Sequence, residues 1–163
     1  MVTVMGIDPG LAETGIGVVS GAALTVSDYS FGHIRTTKDM STAARLHLIH
    51  GRISEAIAIK NPDFMVVEDV FSLERYPKSG ILLGKVVGVV LLAACSAGIP
   101  VTEVPVREAK KILSGNGNAS KAQLERSVRD FLKHPEPIRP DHASDALALA
   151  LIGLFRHNRL RAR

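Results

Sequence analysis

The stretch that decides the fold is residues 2–10, VTVMGIDPG, close to the start of the chain. Its first residues are β-prone and almost continuously apolar, which is the pattern of a strand buried on both faces of a sheet. The strand ends on a carboxylate, Asp8, and the chain then turns at Pro9 and Gly10. Burying a lone charge costs free energy unless that charge is paired or bound to a metal. The rest of the sequence therefore has to supply a partner for Asp8.

The composition is that of one globular domain with an aliphatic core. Of the 163 residues, 46% are hydrophobic and 4% are aromatic, and none is tryptophan. A chain of this length can bury a sizeable core, and its hydrophobic fraction argues against disorder. The formal net charge of +4 permits a polyanionic partner but does not by itself indicate one.

A second apolar segment, residues 81–99, raises the question of a membrane span. Lys85, Ser96 and three glycines interrupt it, so a buried core helix is the better interpretation. The single cysteine, Cys95, lies inside this segment and is predicted to be a buried, inert thiol. The opening residues lack the basic and apolar regions of a signal peptide, and we therefore expect a cytoplasmic protein.

The first half of the chain predicts an antiparallel meander followed by a helix and a parallel strand. Residues 2–8, 14–21 and 23–36 are interpreted as the three meander strands, because glycine-bearing turns separate them. A helix begins at Ser41 or Thr42 and extends to about Lys60. A short apolar strand within residues 64–71 then reaches Glu68 and Asp69, as expected of a central parallel strand.

The second half predicts helices around one further strand. After the apolar helix come a strand at residues 100–105 and a short helix at residues 106–113. Ser120 and Gln123 have capping-box spacing for the next helix, and the last helix begins near Asp141. We expect one α/β domain over residues 1–155, a mixed sheet flanked by helices, followed by a basic C-terminal tail at residues 156–163.

Acidic residues end two of the predicted apolar strands. Asp8 and Glu68 would converge if their strands are parallel neighbours, since the carboxyl ends of parallel strands form the ligand crevice of an α/β sheet. His142 and Asp145, three residues apart, share one face of the last helix. Clustered carboxylates repel one another, and Mg²⁺ removes that cost while keeping sites for water and phosphate. Two such ions about 4 Å apart can hydrolyse a phosphodiester.

Each of these residues also has an ordinary structural interpretation. An Asp before Pro-Gly is usually a turn residue, and Glu68 is about as often a solvated strand end as a ligand. Asp141 follows a proline and precedes a helix, which favours an N-cap. A lone His142 is more often a surface imidazole than a ligand. Taken together, these residues are harder to explain as unrelated structural residues, because each lies at the end of a different strand or helix of the core.

Three motifs resemble the RuvC family of Holliday-junction resolvases: GIDPGLAETGIGVV at residues 6–19, VVEDVF at 66–71 and DHASDALALA at 141–150. They occur in the family's order, and the similarity covers nearly the whole chain. The resemblance implies an RNase H-like fold, a homodimer, and Mg²⁺- or Mn²⁺-dependent paired nicks in four-way DNA junctions during recombination and repair. It also implies a possible partner, a branch-migration motor complex of the RuvA–RuvB type.

The resemblance assigns roles to individual residues. It implies that Asp8, Glu68 and Asp145 are catalytic metal ligands, with His142 at the position where most members carry a further Asp and some carry His. Since imidazole suits Mn²⁺ well, the choice between the two metals stays open, and so does the role of Asp141 as ligand or helix cap.

DNA contacts are expected from the resemblance and from the basic residues. The family match makes Phe71 a wedge against junction bases and puts Lys110 and Lys121 near the scissile phosphate; without it, a core phenylalanine and solvated lysines are the ordinary interpretations. The remaining candidates for contacts with the DNA backbone are Arg75, Lys78, Lys85, Arg107 and Lys111. Such contacts are salt-sensitive and carry little sequence information.

Other functions remain as alternatives. An RNase H-type nuclease acting on RNA–DNA hybrids is the closest enzymatic alternative, and a non-catalytic DNA-junction-binding protein is another. A phosphotransferase of the actin–hexokinase type also begins with an Asp-x-Gly loop, but it needs a second lobe for which this chain is too short.

Overall fold

The structure is a computed structural model that describes residues 1–22, 24–69 and 77–161, with side chains described for residues 1–22, 24–69 and 79–157. A five-stranded sheet in the order β3-β2-β1-β4-β5 forms its centre. The strands are β1 (Val2–Asp8), β2 (Glu13–Ala22), β3 (Thr25–Arg35), β4 (Phe64–Glu68) and β5 (Val101–Val104). The first three pair antiparallel, and β4 and β5 add on in parallel. The predicted mixed sheet is therefore confirmed.

Helices cover both faces of this sheet. They are α1 (Thr42–Lys60), α2 (Pro77–Ser96), α3 (Val106–Ser114), α4 (Lys121–Leu132) and α5 (Asp141–Arg161). The Ser41 side chain accepts the Ala44 amide at the start of α1, and Ser120 forms the predicted capping box with Gln123 at the start of α4. Because caps satisfy amides that the helix itself leaves unpaired, these two starts follow from local sequence.

The alternation of side chains along each strand builds two cores. On one face of the sheet, Met5 and Ile7 of β1 pack with Ile49 and Ile53 of α1 and with the buried side of α2. On the other face, Val2, Val4 and Val66 pack against α3, α4 and α5. Since side chains alternate between faces, Asp8 belongs to the same face as Val4, the face that α5 covers.

Glycines on that face let α5 lie directly on the strands. A Cβ added at Gly6, Gly15 or Gly17 would overlap backbone atoms of α5 at distances under 3.0 Å. On the helix side of this contact, Ala143 and Ala146 are fully buried. The close approach of β2 expected from Gly15 and Gly17 is thus present, and it sets the N-terminal turn of α5 beside the end of β1.

The apolar helix α2 differs from the prediction of a buried core helix. Val86, Val90 and Ala94 are buried against α1 and the sheet, whereas Leu92 is 57% exposed and Ile81 is 63% exposed. Cys95 is also exposed, so its predicted burial is wrong. The apolar sequence covers both sides of the helix, but only one side packs against other residues of the described part.

By length and composition, α2 is one helix in the described part of the chain that could cross a membrane. Its window Ser79–Ser96 has a mean hydropathy of 2.0 and is 28% buried. A single such helix is weak support for a membrane span, because an apolar helix that packs in a soluble protein passes the same test.

At the other end of the chain, α5 continues past residue 155 to Arg161. Arg156 forms an ion pair with Glu108 of α3, and the His157 ring stacks on Phe64 with centroids 5.4 Å apart. The first residues of the basic segment at 156–163 are therefore packed helix.

Candidate active site

Asp8 and Glu68 meet at one edge of the sheet because their strands are parallel neighbours. Ile7 pairs with Val67, so the next residue of each strand reaches the same edge on the face that α5 covers. A hydrogen bond joins the two side chains. The convergence that the sequence made conditional on parallel pairing of β1 and β4 is present.

The first turns of α5 bring His142 and Asp145 to the same point. Nδ1 of His142 lies 2.5 Å from Oδ2 of Asp8. Because an ionised carboxylate can only accept, the imidazole N–H is the donor in this contact. Asp145 is only 6% exposed. Residues from β1, β4 and α5 therefore form one cluster, which we call the acidic cluster: Asp8, Glu68, His142 and Asp145.

Lys121, the first residue of α4, closes the acidic cluster from the solvent side. Its Nζ lies 3.3 Å from Oδ2 of Asp145, and its side chain is 60% exposed. The capping box of Ser120 fixes the start of α4, and so the position from which Lys121 extends. The predicted basic residue of this region therefore contacts a predicted acidic one.

Burial and mutual repulsion shift the carboxyl groups of the cluster toward their protonated forms. Burial, the hydrogen bond with Asp8 and the charges of Asp8 and Asp145 together raise the pKa of Glu68 to about 8. Burial also raises the pKa of Asp145, and the charge of Asp8 adds to it, while Lys121 opposes it. Burial and the neighbouring carboxylates thus both make the ionised forms of Glu68 and Asp145 less favourable.

The two basic groups shift in the opposite sense, toward their charged forms. The hydrogen bond to Asp8 raises the pKa of His142, against the effect of partial burial. Burial would lower the pKa of Lys121, but the carboxylates of Asp145, Asp8 and Asp141 together outweigh it and the pKa is raised. Both side chains therefore act as positive counter-charges for the carboxylates.

The donor set fits a hard divalent cation, although it is not a ready-made cage. Among residues 1–22, 24–69 and 77–161, no three His, Cys, Asp or Glu side chains are arranged to hold a metal ion as they stand. Asp8 oxygens are bonded to His142 and Glu68, and Asp145 is bonded to Lys121. A divalent cation would replace a proton and an ammonium group as counter-charge, and three carboxylates with one imidazole are ligands that Mg²⁺ or Mn²⁺ accepts.

Asp141 lies outside the acidic cluster. Its Oδ1 accepts a hydrogen bond from Nη1 of Arg139 at 2.6 Å, and its side chain is 48% exposed. It is the first residue of α5 rather than the residue before the helix. Its role as a ligand or as a helix cap stays a prediction.

The other predicted DNA-contact residues belong to α2 and α3 or lie outside the described part. Lys110, Lys111 and the exposed Arg107 belong to α3, while Lys85 is exposed on α2, which packs on the opposite face of the sheet. Phe71, Arg75 and the side chain of Lys78 lie outside the described residues. Their roles stay predictions.

Sequence reasoning missed two features beside the cluster. Thr14 is fully buried, and its hydroxyl donates to the carbonyl of Gly10 at 2.7 Å, which closes the turn after Asp8. Glu13 of β2 and His33 of β3 are diagonal neighbours in the sheet, with 3.7 Å between Oε1 and Nε2. The four-residue spacing of Gly10 and Thr14 is a weak local signal for the first, and the second depends on strand register alone.

The fold and the site define the class of protein: an RNase H-like nuclease fold with carboxylates at the ends of its central strands. The chain belongs to the family described as crossover junction endodeoxyribonuclease RuvC, whose model matches residues 4–153.

Individual relatives agree with this assignment. The crossover junction endodeoxyribonuclease RuvC of Rhodopirellula baltica is 36% identical over 155 residues, covering 95% of this chain and 87% of that protein. The protein of the same name from Yersinia pestis is 38% identical over 151 residues, covering 93% and 86%. The solved structure of T. thermophilus RuvC in complex with a Holliday junction substrate matches with a TM-score of 0.91 at 33% identity, covering 98% of this chain and 96% of that one.

Proposed function

We propose that this protein is a metal-dependent endonuclease that resolves Holliday junctions by paired symmetric nicks, in homologous recombination and DNA repair. The observation that carries the proposal is the acidic cluster, in which side chains from β1, β4 and α5 converge on a point open to solvent. Carboxylates gathered at such a cost in burial and repulsion are expected where a divalent ion and a phosphodiester are to be bound.

Asp8, Glu68, Asp145 and His142 are the proposed metal ligands and catalytic residues. The family consists of nucleases that require divalent metal ions; for this chain we propose two Mg²⁺ or Mn²⁺ ions. When bound, such ions polarise the phosphodiester, make water a stronger nucleophile and stabilise the leaving oxygen. The nitrogen of His142 makes Mn²⁺ a good match for the site. The proposed products carry a 5′-phosphate and a 3′-hydroxyl.

Lys121 is proposed to bind the phosphate that is cut. Its ammonium group stands at the solvent side of Asp145, and its stem is anchored on the first turn of α4. When the Asp145 carboxylate has another counter-charge, the ammonium is free to donate to a phosphate oxygen. The amide groups of the same helix start add further positive potential at this point.

More distant contacts would hold the junction arms. We propose backbone contacts from Lys85, Arg107, Lys110 and Lys111, and from Arg75 and Lys78, which follow β4 in the sequence, with Phe71 stacking on bases at the crossover. Phosphate contacts of this kind give affinity without much sequence discrimination. The affinity for junctions should therefore fall steeply with salt.

A homodimer is proposed because symmetric nicks need two active sites related by a two-fold axis. The exposed side of α2 is the surface we assign to the dimer contact. Gly84 and Gly88 have nothing within 4 Å of an added Cβ, and Ile81 and Leu92 beside them are exposed. A second copy of α2 could approach closely over these glycines and bury the apolar side chains, each of which contributes up to about 2–3 kcal/mol when fully buried.

The remaining proposals concern cellular context and domain limits. We propose a cytoplasmic protein with one nuclease domain over residues 1–155, which acts alongside a branch-migration motor of the RuvA–RuvB type. A motor that moves the crossover would bring suitable sites to the nuclease.

The decisive experiment offers the purified protein three substrates: a synthetic four-way junction, a linear duplex of the same sequence and an RNA–DNA hybrid. Each is tested with Mg²⁺, with Mn²⁺ and with EDTA. We expect paired nicks in the junction with a divalent ion and intact duplex and hybrid. Cleavage of the hybrid alone would support the RNase H alternative, and junction binding without nicks in either metal would support a non-catalytic binder.

A further inference from the structure

A cleft of about 660 Å³ continues from the acidic cluster toward β3. His142, a member of the acidic cluster, and Lys121, which contacts Asp145, both line this cleft. The rest of its lining is Glu13, His33, Arg139, Pro140 and Asp141. A DNA strand bound at the acidic cluster has to continue along the protein surface on either side of it. This cleft offers such a path, because it adjoins the cluster.

Strand register puts His33 in line with the cluster. Asp8 pairs with Gly15 on β2, and Gly15 pairs with His33 on β3. Directly paired residues project from the same face of a sheet, so His33 is on the face that carries Asp8. Two strand spacings separate them, about 10 Å between backbones.

The residue between them, Gly15, keeps the space above this row for α5. An added Cβ at Gly15 would overlap the carbonyl group of His142. The first turn of α5 therefore passes between His33 and Asp8. Arg139 comes just before that turn, and its guanidinium is bonded to Asp141 and 73% exposed. Like His33, it lines the cleft.

We propose that His33 and Arg139 form a subsite that binds a phosphate next to the scissile phosphate and so orients the strand at the acidic cluster. Asp141 orients Arg139 through one of its five N–H donors and leaves the others available. Glu13 lies beside His33, with 3.7 Å between Oε1 and Nε2. Both side chains are positioning residues in this assignment, and the assignment rests on the nuclease function proposed above.

The test determines whether each of the two side chains contacts one particular phosphate of the DNA. His33→Gln and Arg139→Gln are compared with the wild type for binding to a four-way junction in EDTA. Four further junctions each carry an uncharged methylphosphonate at one of the two phosphates on either side of the cleavage site. On the unmodified junction, we expect the loss of a charged hydrogen bond to weaken binding by about tenfold for Arg139→Gln. For this variant, the dependence of log affinity on log salt concentration should become shallower, with the magnitude of the slope smaller by about 1.

The matched controls are His47→Gln and Arg52→Gln on α1. Arg52 is 64% exposed and paired with Glu55, as Arg139 is paired with Asp141, but α1 packs on the opposite face of the sheet. Both controls should bind as the wild type does.

The expected signature is that one methylphosphonate abolishes the difference between the wild type and Arg139→Gln, and between the wild type and His33→Gln. If the two variants match their α1 controls, or lose the same factor on every junction, the subsite assignment is wrong. Wild-type cleavage of the unmodified junction, measured in parallel with Mg²⁺, keeps this outcome separate from failure of the nuclease proposal.

Discussion

Nδ1 of His142 lies 2.5 Å from Oδ2 of Asp8, which joins the end of the first strand to the first turn of the last helix across 134 positions of sequence. This contact gives Asp8 the partner that its position at the end of a buried strand demands. It also couples the geometry of the acidic cluster to the packing of α5 on the sheet, because the helix can reach Asp8 only where the glycines of β1 and β2 admit it.

Replacing the central carboxylate should separate cleavage from binding. In Asp8→Asn the charge that His142 and a cation would share is lost, while the surfaces proposed to hold the junction arms are unchanged. We expect cleavage to fall by at least about 10³-fold, the scale of losing a preorganised electrostatic group, with junction affinity within a few-fold of the wild type. Gel-shift and nicking assays on the same four-way junction measure both. An equal loss of both would contradict this division of labour.

The glycine contact under α5 predicts a steric effect on stability. In Gly17→Ala the added methyl group would overlap the Leu147 backbone, and we expect the free energy of unfolding to fall by about 1–3 kcal/mol, as for other overpacked sites. The control is Gly32→Ala on β3, where an added Cβ has nothing within 4 Å. Urea unfolding measures both variants. A similar effect of the two would show that close packing of α5 is not the cause.

The raised pKa of Glu68 predicts a pH dependence of the metal-free protein. Glu68 has a pKa of about 8 in the folded protein against an ordinary 4.5, so the folded state holds more protons than the unfolded state between these values. The free energy of unfolding therefore decreases as the pH rises from about 4.5 to about 8, and this contribution levels off above that range. Glu68→Gln lacks this titration.

The measurement is urea unfolding in EDTA at pH 5.5, 7 and 9 for the wild type and Glu68→Gln. The stability of Glu68→Gln relative to the wild type should increase with pH. A difference that is constant across the three pH values would mean that Glu68 titrates near its ordinary pKa.

Lys121 and a divalent cation should compete for Asp145. Removing the ammonium group in Lys121→Met frees the carboxylate and removes a positive charge from the site. Since the pair is largely exposed to solvent on the lysine side, we expect a modest effect, with Mn²⁺ bound about two- to fivefold more tightly. Isothermal titration calorimetry with Mn²⁺ measures this, and Lys60→Met at the end of α1 is the charge-matched control. Weaker Mn²⁺ binding by Lys121→Met would show that the lysine supports the cation rather than replacing it.

The exposed side of α2 predicts which substitution breaks the dimer. Leu92→Asp puts a charge on the proposed contact, where Leu92 is 57% exposed in one copy of the chain. We expect this variant to be monomeric and folded, because Leu92 belongs to neither hydrophobic core that the described residues form. The control is Ile59→Asp on α1, where the side chain is 77% exposed. Light scattering after size-exclusion chromatography gives the masses. A dimeric Leu92→Asp would place the contact elsewhere.

Local sequence was sufficient for the elements that carry the cluster. The β-prone run before Asp8 predicted β1, serine caps predicted the starts of α1 and α4, and the i, i+3 spacing of His142 and Asp145 put them on one helix face. These features depend on residues a few positions apart, so their physical causes are contained in short segments.

The apolar sequence of α2 was not sufficient in the same way. It correctly predicted a long helix, but the burial of Cys95 was wrong. The apolar residues of α2 indicate that the surface of this helix is more stable when it is removed from water. They do not indicate whether the same chain or another molecule covers that surface.

By itself, the sequence determined the strands, the helix starts and the candidate carboxylates, since each follows from the chemistry of neighbouring residues. Only the tertiary structure decided that Lys121 pairs with Asp145, that Asp141 turns to Arg139, and that His33 stands in register with Asp8. These relationships depend on strand pairing and on how closely α5 approaches the sheet. Both are set by contacts between distant residues, which no short stretch of sequence contains.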